Sequence, residues 1–337
     1  MTTRRLPAEW EPQSMIQFTF PHADSDWAEL LEEVTPCFVA CVEAVSKFQK
    51  VLVVADDRKR VGGLLAHLPA ERVEIVVCPS NDTWARDHGG ITVFEDGHPL
   101  LLDFIFNGWG LKFAANRDNL ITRTLHTWGV FGKTPIQQMS IVLEGGALET
   151  DGEGTLLSTT ECLLSLNRNP HLTLAETEAE LTRQLGVDRF LWLDNGFLAG
   201  DDTDSHIDTL ARFCSPDTIA YVRCTDETDE HHPELKLMEQ ELKTFRMRSG
   251  APYNLVPLPW PTACYAEDGH RLPATYANFL IINGAVLVPT YGVPEDGLAL
   301  SALQTCFPNR EIIGIDCRVL IEQHGSLHCI SMQYPLG

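Results

Sequence analysis

Hydrophobic positions in this chain follow two rhythms. Short runs dense in Val, Ile, Leu and Phe read as buried strands. Between them, apolar residues recur every three or four positions, the spacing of one helical face. The partly alternating Ser14–Phe20 predicts the first strand. A helix follows with Trp27, Leu30, Leu31 and Val34 on its inner face and Asp26 placed to cap it. Pro36 sits within or interrupts this region, which resumes through Phe38, Val42, Val45 and Phe48. Val51–Val54 reads as a strand, 56–68 as a helix and Val73–Val77 as a strand.

From there one unit recurs: hairpin, helix, strand. Ile91–Phe94 turns at Glu95-Asp96-Gly97-His98 into Leu100–Phe104. A rigid aromatic loop, Phe106-Asn107-Gly108-Trp109-Gly110, and a helix over 116–128 come next. A strand over Ile141–Glu149, with Glu144 and two glycines at its centre, turns at 150–154 into Thr155–Thr159. Helix Leu174–Leu185 and strand Phe190–Leu193 complete that unit. Thr218–Val222 precedes a helix over 234–248. Asn283-Gly284, inside the apolar run 276–289, is the strongest hairpin signal in the chain. A helix over 294–307 and strand Glu311–Ile315 follow. Asp87, Glu144 and His206 each lie near the start of a hairpin unit, 57 and 62 residues apart. The Asn283 hairpin comes 77 residues later, stretched by a Pro-rich insertion over 256–271. Periods of this size predict a propeller or related array. Such an array is one domain, 1–337, delivering polar residues from each unit to one central site.

Composition narrows the partners. The 44% hydrophobic content suffices for a full core. Lys+Arg 25 against Asp+Glu 47 leaves a net charge of −22, and no basic run argues for nucleic acid. The balance suits a small cation. Ten cysteines form no CxxC pair; the closest, Cys37 and Cys41, have the i, i+4 spacing of buried free thiols rather than a zinc site. His231-His232 lacks an evident third metal ligand. No stretch approaches a membrane span and no apolar leader follows Arg4 and Arg5, so a reducing cytoplasm is expected.

Candidate chemistry concentrates in Gly200–Phe213. Four carboxylates (Asp201, Asp202, Asp204, Asp208) and His206 crowd a loop that then turns apolar. Read as extended, His206 and Asp208 project to one side, an arrangement for moving a proton on a cationic substrate. An acidic capped turn gives the same pattern. Cys329, after His328 and close to a Gly-Ser loop, is by itself an ordinary core cysteine. With a distant His206 it matches the nucleophile–base pattern, and Asp87 with Asp208 matches the donor fork of a guanidinium.

These residues resemble the agmatine deiminase family, also called bacterial peptidylarginine deiminase-like, of the pentein guanidine-modifying enzymes. The shared motifs run in order along nearly the whole chain. They are Trp84-Ala-Arg-Asp87-His-Gly, Phe106-Asn-Gly-Trp109-Gly, Glu144-Gly-Gly, Asp151-Gly-Glu-Gly-Thr-Leu-Leu, Asn167-Arg-Asn-Pro170, Asp202-Thr-Asp-Ser-His206-Ile-Asp208 and His328-Cys329-Ile. The resemblance implies an α/β fold, a five-bladed propeller of ββαβ units. It places the nucleophile on Cys329, the general acid/base on His206 and the guanidinium-binding carboxylates on Asp87 and Asp208. Glu144 supports the histidine and the substrate, and Asp202, Trp84 and Trp109 wall the site. It implies deimination of agmatine through an amidino-cysteine, no metal or organic cofactor, and a homodimer. Three positions depart from the family pattern: Gln323–Leu327 replaces a glycine run, Ser205 stands for a glycine and Gly90 for a proline.

The nearest rivals use the same residues on free or peptidyl arginine, or transfer the amidino group. A guanidine- or polyamine-binding protein and a generic Cys-His amidase stand further off. The crowd of acids also predicts a Cys329 thiol that is hard to ionise until a cation binds.

Overall fold

The computed structural model describes residues 3–337. Five sheets carry its strands, and all five are wired alike. An antiparallel pair comes first. A helix then crosses the sheet to a third strand parallel to the second. Ile91–Glu95, His98–Ile105 and Ile136–Val142 form one unit around helix Asp118–Thr127. Glu149–Thr150, Thr155–Thr159 and Arg189–Leu193 form the next, around Leu174–Leu185. Ala211–Ser215, Thr218–Val222 and Asn254–Leu258 follow with His232–Thr244, then Leu280–Ile282, Ala285–Thr290 and Glu311–Asp316 with Asp296–Cys306. The fifth unit uses both ends of the chain. Ser331–Pro335 pairs antiparallel with Gln13–Thr19, which runs parallel to Lys50–Ala55 beneath helix Leu31–Ser46. This is the repeated α/β unit expected from the sequence.

Local chemistry explains the elements. Lys50–Ala55 is apolar after its first residue and is buried on both faces, as a central parallel strand must be. Helix Leu174–Leu185 opens on a Thr173–Glu176 capping box and stops at Gly186, whose φ of 74° needs glycine. A Cβ there would also strike the Arg4 carbonyl.

Several expectations are corrected. The predicted strand over Ile141–Glu149 does not exist as one element. Ile136–Val142 ends before Glu144, a 3-10 turn covers Gly145–Ala147, and pairing resumes at Glu149. The two glycines break the ladder that their apolar neighbours suggest. Asp26 caps nothing, because a separate turn, Ala28–Leu30, precedes a helix that starts without a side-chain cap. Pro36 lies inside that helix. Asn254–Leu258 is a strand that the neighbouring prolines hid. The 77-residue interval compared a hairpin tip with hairpin entrances; the equivalent residue in that unit is Asn278.

Candidate active site

The segment entering the first strand of each unit carries a polar side chain. Asp87 lies in a short helical turn, Ala85–His88, before Ile91. Glu144 precedes the Gly145–Ala147 turn. His206 and Asp208 flank and occupy a 3-10 turn, Ile207–Thr209, rather than an extended segment. Asn278 precedes Leu280, and His328-Cys329 precedes Ser331. All these side chains are buried.

Gly146 marks their meeting point. A Cβ built there would lie 2.5 Å from His206 Nδ1, 2.8 Å from Asp87 Oδ1 and 3.2 Å from Asp208 Oδ2. Asp87 is fixed from two sides: Oδ1 accepts the Gly146 N–H at 2.9 Å and Oδ2 the Trp109 indole N–H at 2.9 Å. Trp109 reaches it from a left-handed backbone, φ 54°, supported by Gly108 and Gly110. Cys329 Sγ sits 3.4 Å from Asn278 Oδ1 and 3.9 Å from Asp208 Oδ2. The same Asn278 oxygen accepts the backbone N–H groups of His328 and Cys329, at 2.8 and 3.2 Å. Cys329, His206, Asp87, Asp208 and Glu144 are therefore brought together.

Electrostatics divides their roles. Burial opposes charge on His206, but Asp87, Cys162 and Glu144 outweigh it and hold the imidazole well above its usual range. Burial pushes Asp87 up to about 6; His206 pulls it back, and Asp208 and Glu144 push further. Asp208 stays below the usual carboxylate range despite burial, because the His328 imidazole bonds it. Glu144 is likewise held low against burial by His206 and Arg168. The Cys329 thiol is pushed well above its usual value by burial, then by Asp208 and Asp87.

A cavity of about 430 Å³ opens from Cys329 and Asp87. Trp84, Trp109 and Phe113 wall it, with Asp26, Asp82, Asp202 and His324 further out. Among the described residues its lining holds no Lys or Arg. Burial pushes Asp82 up to about 6, partly offset by the Thr83 N–H and reinforced by Asp26. Asp202 is half-exposed, its carboxylate 3.8 Å from His324 Nε2.

The three departures from the family pattern have physical accommodations. Ser205 has φ 61°, a left-handed backbone natural to glycine; its N–H bonds Asp201 and its hydroxyl Glu161. Within 323–327 the one glycine, Gly325, lies under the Trp84 ring, where a Cβ would come within 2.0 Å. Gly90 is packed so closely that a Cβ would lie 2.6 Å from Leu101 and 2.7 Å from Thr122.

Sequence reasoning missed several members. Asn278 showed the same signal as Asp87, a polar residue just ahead of an apolar strand. Arg168, inside a quoted motif but given no role, donates from Nε to both Glu144 oxygens at 3.1 and 2.7 Å and from Nη2 to the Thr203 carbonyl at 2.8 Å. It ties Glu144 to the 202–204 loop. Glu9 gave no local signal. Its Oε2 accepts from His328 Nε2 at 2.7 Å, while His328 Nδ1 lies 2.7 Å from Asp208 Oδ2. Arg212 and His328 hold Glu9 low against burial.

A family profile, Porphyromonas-type peptidyl-arginine deiminase, matches residues 5–335. The chain belongs to that family. An agmatine deiminase of Pseudomonas aeruginosa is 31% identical over 98% of this chain and 95% of its own. A solved Porphyromonas gingivalis structure, provisionally named an arginine deiminase, is 55% identical with a TM-score of 0.94, covering 99% of both chains. An agmatine deiminase of C. jejuni, solved as a cysteine-to-serine variant with substrate bound, is 40% identical with a TM-score of 0.94, covering 100% of this chain and 97% of its own. Among the described residues, no helix is long and apolar enough to cross a membrane.

Proposed function

We propose that this chain is an agmatine deiminase, a hydrolase converting agmatine to N-carbamoylputrescine and ammonia. One observation carries the reading. The Cys329 thiol and the Asp87 carboxylate line an aromatic cavity that also carries Asp26, Asp82 and Asp202, and the His206 imidazole and the Asp208 carboxylate lie just behind them. In this reading Asp87 and Asp208 take the guanidinium between them. Cys329 attacks its carbon, and a C–S bond forms. The C–N bond to one terminal nitrogen then breaks, and His206 gives that nitrogen the proton it needs to leave as ammonia. Neutral His206 next takes a proton from water. The resulting hydroxide attacks the amidino carbon, the C–S bond breaks, and the thiolate is restored. Glu144 orients His206. The raised thiol pKa is met by the substrate itself: the bound cation offsets Asp87 and Asp208, and the thiol proton leaves to solvent, giving the thiolate.

The far end of the cavity distinguishes agmatine from arginine. An ammonium suits Asp82, Asp202 and Asp26; an α-carboxylate finds no Lys or Arg among the lining residues. Deimination of free or peptidyl arginine is the second reading, favoured by the name of the Porphyromonas gingivalis relative. Product analysis over agmatine, arginine and an arginyl peptide tests both. Agmatine should be turned over far faster than the others; preference for arginine would overturn the assignment. The same reading takes 1–337 as one catalytic domain, a homodimer in the cytoplasm, supplying a putrescine precursor. Ten free cysteines suit a reducing compartment, and sedimentation of the purified protein checks the dimer.

A further inference from the structure

We infer that Glu144, Cys162 and His206 form a binding site for a zinc-class divalent cation, and that its occupation shuts the enzyme off. Cys162 belongs to the short helix Thr160–Leu163 and does not line the substrate cavity; Cys329 does. Its thiol faces the other side of the His206 imidazole. Glu144 Oε2 is 3.5 Å from His206 Nε2 and 3.8 Å from Cys162 Sγ, and the three ligand atoms all lie within 4.8 Å of one another. Bond lengths of about 2.0–2.3 Å to nitrogen, oxygen and sulfur put tetrahedral ligands roughly 3.3–3.6 Å apart. The two spacings to Glu144 Oε2 are close to that, and the third pair, within 4.8 Å, needs at most about 1 Å of side-chain movement to reach it.

A second observation points into the same space. His206 is fully buried, and among the described residues its Nε2 has no hydrogen-bond partner. That nitrogen faces a carboxylate and a thiol, the donor types of a zinc site. The mixed N, O, S set favours zinc over calcium or magnesium, which take oxygen. Binding uses Cys162 as thiolate and His206 Nε2 as a lone-pair donor, so any protons on those atoms leave to solvent as the dication enters. Arg168 holds Glu144 through Oε1 as well as Oε2, leaving it an anchor while Oε2 turns to the ion. The loss of activity rests on the acid/base role proposed for His206; the binding does not.

The test uses zinc and cobalt(II) added to the metal-free protein, read by calorimetry and by the thiolate-to-cobalt charge-transfer band. One ion per chain and a band that persists in Cys329→Ser are expected. Cys162→Ala should weaken binding roughly 100-fold and abolish the band. Cys162→Ser keeps the volume and gives the same answer should the alanine variant fold poorly. A band that survives in both Cys162 variants but vanishes in Cys329→Ser, or no binding by the wild type, overturns the site. Zinc bound through Cys162 without loss of deiminase activity would instead contradict the role of His206.

Discussion

At the scale of single residues, Gly146 is the most exacting position. Atoms of His206, Asp87 and Asp208 surround the point where a side chain would begin. We predict that Gly146→Ala lowers kcat/KM on agmatine by roughly 100-fold with little change in melting temperature, since displacements of about 1 Å carry that cost. Steady-state kinetics and a thermal melt check it. The carboxylates set the acid limb. Asp87 and Asp82 both have values raised to about 6. Each must be ionised to hold a cation, so kcat/KM should fall as pH drops below about 6, and Asp82→Asn should remove one contribution to that limb. A limb near the ordinary carboxylate range, around 4, would contradict this. Cys329, His206, Asp87, Asp208 and Glu144 were legible as candidates because each has a chemistry of its own and sits in a motif. Glu9 and Cys162 were not, because each looks like an ordinary residue until the fold sets it beside His328 or His206.

At the scale of elements, the sequence told strands from helices well where burial was two-sided or amphipathic. Helix Leu174–Leu185 has the boundaries its caps dictate. It failed where backbone conformation decides. Gly145–Ala147 reads as strand because its neighbours are apolar, yet it forms the turn that aims Glu144 inward. Helix Asp118–Thr127 supplies a further prediction. The buried Asp118 accepts backbone N–H groups from Asn81 and Asp82, and burial pushes it up to about 7. A carboxyl whose folded value is raised favours folding at low pH, and that stability is lost as pH rises from about 4 to about 7. Asp118→Asn escapes the loss. Its stability relative to wild type should therefore climb by roughly 2–3 kcal/mol between pH 4.5 and 7, then stay level. Urea unfolding across that range measures it; a constant difference would show that Asp118 does not carry the shifted value.

At the scale of the molecule, recurring units were visible as spacing, but closure was not. Ser331–Pro335 and Gln13–Thr19 carry no signal that they pair, because strand partners so far apart leave no local trace. Arg212 binds Glu9, Glu149 and the Phe279 carbonyl, joining three units and the N-terminal segment. Arg212→Ala strands two buried carboxylates and should cost about 3–5 kcal/mol in urea unfolding; a loss under about 1 kcal/mol would mean the units hold together without it. This scaffold serves one proposal, that Cys329 becomes covalently joined to the substrate carbon. Mass spectrometry of the enzyme quenched in acid during agmatine turnover tests it most directly. The account predicts an amidino adduct on the peptide containing Cys329, absent from Cys329→Ser; an adduct on Cys162, or undiminished turnover by Cys329→Ser, would contradict it.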